Sequence, residues 1–276
     1  MDIPVAAAII AASVAVACGL MYSIHRLATR DVFLADTTRG AGVYGVAGTG
    51  FAVLLAFVVL IAFQQYDDAK AGAQSEAGAV IELFRNAEFF PGAERREIQG
   101  ELTCYGRAVV EQEWPAMSGG RSDPLPMVEE WSVRLQRSYV SLRVRTPREQ
   151  AAFSNILDLR NDRVAARRER LAEAEPTVTA PVWFILILGA VVSIGFVLLF
   201  IDRRGEVFAA QAALIGTVTT IVVAGMVLVW FLDHPYENQD GSIKPTEMES
   251  TLALMEAEEP NLRIPCTANG TSRRPS

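Results

Sequence analysis

Four stretches, residues 3–24, 40–66, 176–201 and 207–232, are apolar and contain no Asp, Glu, Lys or Arg. A helix rises about 1.5 Å per residue, so roughly 20 such residues cross a hydrocarbon core about 30 Å thick. Elsewhere no uncharged window reaches half that length. Four such stretches in one chain of 276 residues exclude an ordinary soluble core. They predict an all-α integral membrane protein with four transmembrane helices. The expected order is a first hairpin over 1–66, a helical-bundle extramembrane domain over 67–180, a second hairpin over 181–232 and a tail over 233–276.

The first span reads as a retained anchor and not a secretory signal, because Met1-Asp2 supplies no basic segment before it and His25-Arg26 and Arg30 follow it. The turns of the two hairpins are basic, with Arg26, Arg30 and Arg39 in one and Arg203 and Arg204 in the other. By the positive-inside rule both turns belong in the cytoplasm, which places the domain and tail outside. Lys70, Arg163, Arg167, Arg168 and Arg170 add comparable charge on the domain side, but long segments weigh less in that rule. Arginine outnumbers lysine 23 to 2, as expected of a GC-rich genome; a bacterial inner membrane is the expected location. Residues 67–180 carry 19 acids against 16 bases, so no nucleic-acid partner is indicated. Cys18, Cys104 and Cys266 are far apart and have no metal-ligand spacing. They are expected to stay unpaired; a Cys104–Cys266 disulfide, possible only if both regions lie outside the cytoplasm, is the minority expectation.

Between the hairpins the pattern is helical. Residues 64–90 continue from the second span without a break, with an alanine-rich stripe at Ala69, Ala73, Ala77, Val80, Phe84 and Ala87 that suits close helix packing. Pro91-Gly92 ends this helix, and a second over 93–114 is expected to stop at Pro115. A third helix carries Val128, Trp131, Leu135, Tyr139 and Leu142 on one stripe. Thr146-Pro147-Arg148-Glu149 forms a capping box for a fourth. In the tail, Thr246 and Glu249 suggest another capping box for a short amphipathic helix, and residues 269–276 are expected to be disordered because they have nothing to bury.

Nothing points to an enzyme, a cofactor or a metal. The two histidines, His25 and His234, are expected on opposite sides of the membrane, and no phosphate loop or nucleophile constellation is present. The spans lack the buried acids and histidines of proton-coupled carriers. The second span is glycine-rich at Gly42, Gly45, Gly48 and Gly50, which fits tight helix packing or an oligomeric pore. For a pore, the lining candidates are Tyr44, Gly48, Phe51, Leu55, Gln64 and Gln65. Asp67 and Asp68 would then repeat around the mouth as an acidic ring that concentrates cations. The fourth span offers Gln211, Thr217, Thr219 and Thr220, whose hydroxyls more commonly bond to helix carbonyls.

The chain resembles the bestrophin-like domain family, four-span membrane proteins of bacteria and plants. The resemblance runs from Gly45 to Pro245. It rests on Gly48, the run Phe51 to Val58, Gln65-Tyr66-Asp67-Asp68-Ala69, Glu76, Leu83, Arg85, Tyr105, Glu113-Trp114-Pro115 and Met117. Arg167-Arg168-Glu169-Arg170-Leu171, Trp183, Leu232-Asp233-His234-Pro235-Tyr236, Ile243 and Pro245 complete it. The resemblance implies a homo-oligomeric channel for a small inorganic ion, with the second membrane helix lining the pore. The partners expected are copies of the chain and the lipid bilayer. Bestrophin pores are best known for anions and bestrophin termini are cytoplasmic, whereas the acidic pair favours cations and the charge pattern places the termini outside. The alternative is a non-conducting scaffold or sensor whose helical domain binds a partner or ligand.

Overall fold

The computed structural model describes residues 1–27, 37–199 and 208–273. Nine α-helices are described: α1 (Ile3–Leu27), α2 (Thr37–Asn86), α3 (Gly92–Ala108), α4 (Trp114–Ser118), α5 (Pro126–Ser141), α6 (Pro147–Ala172), α7 (Ala180–Leu198), α8 (Phe208–Asp233) and α9 (Thr246–Glu258). Four of them, α1, α2, α7 and α8, are long and apolar enough to cross a membrane. The basic turns on which pairing into hairpins rests, with Arg30, Arg203 and Arg204, lie outside the described residues. The chain divides into two compact units. One comprises 1–65 and 176–233, and the other 66–175 and 234–276.

In the membrane unit α1 and α7 both pack on α8. Phe51, Val58, Leu186, Ala190, Val222 and Val229 form one buried cluster, and Ala17, Met21, Leu198 and Ile215 another. Glycines set the helix spacing. A Cβ on Gly189 would lie 2.3 Å from the Phe51 ring, and one on Gly225 would lie 2.7 Å from a Leu55 methyl. At the unit's edge the buried Asp233 carboxylate accepts from the Thr177 and Val178 amides at 2.8 and 2.9 Å, which ties the end of α8 to the approach to α7.

Helix α2 contains 50 residues and passes from one unit to the other without a break. Its glycines would weaken a helix in water, but in lipid every backbone amide must be bonded within the segment, and that requirement outweighs a cost of about 1 kcal/mol per glycine. Tyr44, Gly48, Phe51, Leu55, Val58, Ala62, Gln65, Ala69, Gly72 and Glu76 follow spacings of four and three and are all buried or half-buried. That is the 3.5-residue period of a packing seam.

The second unit has one core, drawn from α2, α3, α5, α6 and α9 together with the loop after α8. At Gly72 a Cβ would lie 3.2 Å from the Arg170 amide, so any larger residue requires the α6 backbone to give by a few tenths of an ångström. The capping box at Thr146 is formed, with the Glu149 amide donating to Thr146 Oγ1 and Glu149 Oε2 accepting from the Thr146 amide, both at 3.1 Å.

Four expectations are corrected. Pro115 does not stop its helix. The chain widens into a π-turn over Val109–Glu113 and continues as α4, so the Glu111 carbonyl is not asked to accept from a residue without an N–H. Thr246 does not cap α9, because the N-cap is Pro245 and makes no side-chain bond. The tail is also ordered through Arg273, and two of the cysteines are paired. Cys104 and Cys266 form a disulfide with Cα atoms 5.8 Å apart, Cys266 bridges Ser272, and the Trp131 indole donates to the Gly270 carbonyl at 2.7 Å. These residues bury backbone, a property that side-chain hydropathy does not register; 274–276 lie outside the described residues.

Gly270 has φ +78°, and a Cβ there would lie 2.6 Å from the Ala108 backbone. Gly270→Ala therefore combines left-handed strain with a clash and is expected to cost about 2–4 kcal/mol. Thermal unfolding in detergent should show a lower midpoint, and the Cys104–Cys266 bond should become more accessible to a reducing agent. An unchanged midpoint would refute this reading of the tail.

Candidate functional site

Two regions carry the features on which a function can be built. The first is α2. Tyr44, Gly48, Phe51 and Leu55 are brought together along one groove of about 560 Å³, closed on the other side by Ser193 of α7 and Val218, Ile221 and Val222 of α8. Tyr44 stacks on Phe196 with ring centroids 5.7 Å apart, and Phe51 is only 9% exposed. These four candidates thus face helices of their own protomer. Gln65 is buried on the same seam, whereas Gln64, Asp67 and Asp68 lie on other faces of α2 and are all exposed. Val46, Val53, Phe57 and Leu60 share the outer face with Gln64 and are exposed as well.

The second region is a set of buried charges in the other unit. Arg170 of α6 is fully buried; its Nε donates to Glu76 Oε2 at 2.5 Å and its Nη2 to Glu113 Oε2 at 2.6 Å. Arg167, one turn earlier, donates to Glu113 Oε1 at 2.7 Å and reaches outward to Glu129 at 2.9 Å. The Tyr105 hydroxyl donates to Glu76 at 2.5 Å. Trp114 stacks under Arg170 at 5.2 Å and packs edge-on against Tyr236. Two buried acids meet two buried guanidiniums, so the set is electrically balanced. Burial opposes the charge on Arg170, but Glu76 and Glu113 more than compensate and raise its pKa above the ordinary value. Burial likewise opposes ionisation of Glu113, and Arg170 and Arg167 reverse that and lower its pKa.

The π-turn builds this arrangement: a widened turn at 109–113 is what accommodates Glu113, Trp114 and Pro115 in succession. Periodicity does not locate it, although Pro115 within an otherwise helical pattern is a signal. The sequence singles out Glu76, Tyr105, Glu113, Trp114, Arg167, Arg170 and Tyr236 separately; the structure gathers them in one place. Every donor and acceptor engaged there is satisfied from within the chain, so the arrangement holds helices together and presents no open coordination. No cluster of three or more metal-ligating side chains occurs among the described residues.

The bestrophin-like domain model matches residues 11–243. The chain belongs to the bestrophin-like family. Among solved structures it is similar to a bacterial bestrophin homologue from Klebsiella pneumoniae, with 11% identity and a TM-score of 0.67 over 99% of this chain and 100% of that one. One single-substitution variant of that homologue gives 12% and 0.67 over 93% and 98%. A second such variant gives 13% and 0.66 over 92% and 99%. At these identities the likeness establishes a shared fold. No curated protein matches the chain. The bestrophin-like match takes in the whole of α2, α3, α5, α6 and α7, so both regions described above lie within it.

Two outcomes follow from the charges. Arg170→Met leaves Glu76 buried without its cationic partner and Glu113 with Arg167 alone, and is expected to destabilise the protein by about 3–5 kcal/mol, read by chemical unfolding in detergent. Glu101 of α3 is a different case. Burial, against the hydrogen bond it accepts from Ser138, pushes its pKa from 4.5 up to about 7. The folded state therefore favours the protonated acid. The stability it contributes is complete below pH 4.5 and is lost as pH rises through 7. Glu101→Gln should flatten the dependence of the unfolding midpoint between pH 5 and 7; a profile identical to that of the parent would disprove the assignment.

Proposed function

We propose that the chain assembles with copies of itself into a membrane channel in which α2 lines the pore. The observation that carries this reading is the division of labour on α2: one seam packs inside the protomer, while the opposite face, running through Val46, Val53, Phe57, Leu60 and Gln64, is exposed. A symmetric ring of copies would place that face around an axis. Phe57 and Leu60 would form an apolar constriction, and Gln64 followed by Asp67 and Asp68 would form a polar, then acidic mouth that favours cations. Tyr44, Gly48, Phe51 and Leu55 serve as the packing seam that holds α2 against α7 and α8, and Gln65 continues that seam. The absence of ionisable groups from the spans fits passive conduction, since coupling to protons calls for titratable groups at membrane depth.

We further propose that the domain and tail lie outside the cytoplasm. Both Cys104 and Cys266 are fully buried in a disulfide, a bond that persists in oxidising compartments and is rare in the cytosol. The basic turns, read from the sequence, favour the same side. The bacterial inner membrane is the setting this implies.

Purified protein in liposomes is expected to pass monovalent cations in preference to anions. Asp67→Asn with Asp68→Asn should move the reversal potential towards the anion value, and Phe57→Ala should raise the flux. Liposomes that pass no ion, together with loss of a co-purifying partner when residues 91–180 are removed, would replace the channel by a scaffold or sensor. For orientation, an alkaline phosphatase fused after residue 276 should be active and a fluorescent protein fused there dark; the reverse pattern would place the tail in the cytoplasm.

A further inference from the structure

Of 25 basic residues only two are lysines, Lys70 and Lys244, and both line the same cavity of about 240 Å³. We propose that this cavity binds a phosphate group, carried by an anionic lipid headgroup or by free inorganic phosphate. The cavity is built by strapping the loop after α8 to α2. The Tyr236 hydroxyl donates to the Ala69 carbonyl at 2.7 Å and the Tyr66 hydroxyl to the Gly241 carbonyl at 2.8 Å. Gly241 makes the turn at φ +78°, after which Ser242 to Lys244 run alongside α2. Lysines remote in sequence are thereby brought to one opening.

The lining converges donors. Lys244 Nζ donates to Asn238 at 3.2 Å, which leaves two of its three N–H bonds for a ligand. Neither lysine takes part in an ion pair among the described residues. Gln74 of α2 and Thr246 complete the polar wall; Ser242 lines it too, with its hydroxyl already donating to the Gln239 carbonyl at 2.9 Å. Thr246 and Glu247 also open α9, whose first turn has no side-chain cap, so the positive end of the helix dipole lies at the same wall. A compact ammonium with rotatable donors suits a phosphate oxygen as a point charge, whereas the guanidinium used everywhere else in the chain is a rigid fork.

Size and charge narrow the ligand. At about 30 Å³ per water the cavity holds roughly eight waters, room for a phosphate group and little of an attached organic body. Glu247 lines it too, so the cavity carries a net single positive charge. That matches the single negative charge of a lipid phosphodiester. Lys70 lies four residues beyond Tyr66, where the uncharged stretch ends, which is about 6 Å along the helix and within the depth of a headgroup layer.

The test uses the full-length protein in detergent and does not read ion flux, so its failure is separate from that of the channel proposal. Retained phosphatidylglycerol is measured by native mass spectrometry against phosphatidylcholine, and inorganic phosphate by its effect on the melting temperature. Lys70→Gln and Lys244→Gln are each expected to weaken binding roughly tenfold, and Glu247→Gln, which removes the one acid, to tighten it. Selective retention of phosphatidylglycerol with no response to inorganic phosphate assigns the lipid. A phosphate-dependent rise in melting temperature without lipid retention assigns the free anion. Equal binding by the parent and both lysine variants, or no binding of either probe, would overturn the proposal.

Discussion

The buried chain of charges Glu76–Arg170–Glu113–Arg167 is the constraint on which the helical unit depends. An isolated charge in such a place would cost several kcal/mol, and paired guanidiniums recover that only with close geometry. Arg170 meets that condition by holding Glu76 at 2.5 Å and Glu113 at 2.6 Å at once. The consequence is register. Glu76 is on α2, Glu113 sits in the π-turn before α4 and Arg170 is on α6, so three segments are fixed in register along their axes. Gly72, one turn before Glu76, provides the room for α6 to come that close. The energetic benefit over a well-packed apolar core is small. What the ions supply is a single arrangement of helices that an alanine-rich stripe could not define by itself.

This also explains which parts of the chain are legible in its sequence. The four spans and the Thr146 cap are local signals, carried by composition or by residues three apart, and they read directly. The motif residues Glu76, Glu113, Trp114 and Arg170 are recognisable as a set, but their purpose is not, because adjacent charges on helices are usually solvated. Asp67 and Asp68 are expected at a membrane exit, and both are exposed. Tyr44, Gly48, Phe51 and Leu55 stand out by size and position, and size alone does not say which face of a helix is turned inward. The partner glycines, Gly189 and Gly225, are more than 130 residues away.

The tail is the least legible part, for a physical reason. Its anchoring contacts are a disulfide across 162 residues of sequence, an indole bond to a carbonyl and a glycine pressed on a helix backbone. None of these has a periodic signature, and polar, glycine-containing sequence normally signals disorder. Pro115 misleads in the opposite direction, since the rule that proline ends a helix holds for a regular i→i+4 ladder and fails where the ladder has already widened.

Arginine and lysine usage unites these observations. A chain that encodes cations almost wholly as arginine gains fork-shaped donors, and it places them where two carboxylate oxygens must be met at fixed angles, at Arg167 and Arg170. The same preference would leave no adaptable, compact ammonium for a ligand whose position varies. The two lysines are exceptions to that preference, and the fold places both at one cavity instead of scattering them over the surface. A general bias towards arginine would account for the rarity of lysine but not for this convergence. The convergence depends on the Tyr236 and Tyr66 straps, and Tyr236 in turn is set by the edge of Trp114, which lies against Arg170. The buried charges and the open cavity are thus successive layers of one packing arrangement, the inner layer holding the outer in place.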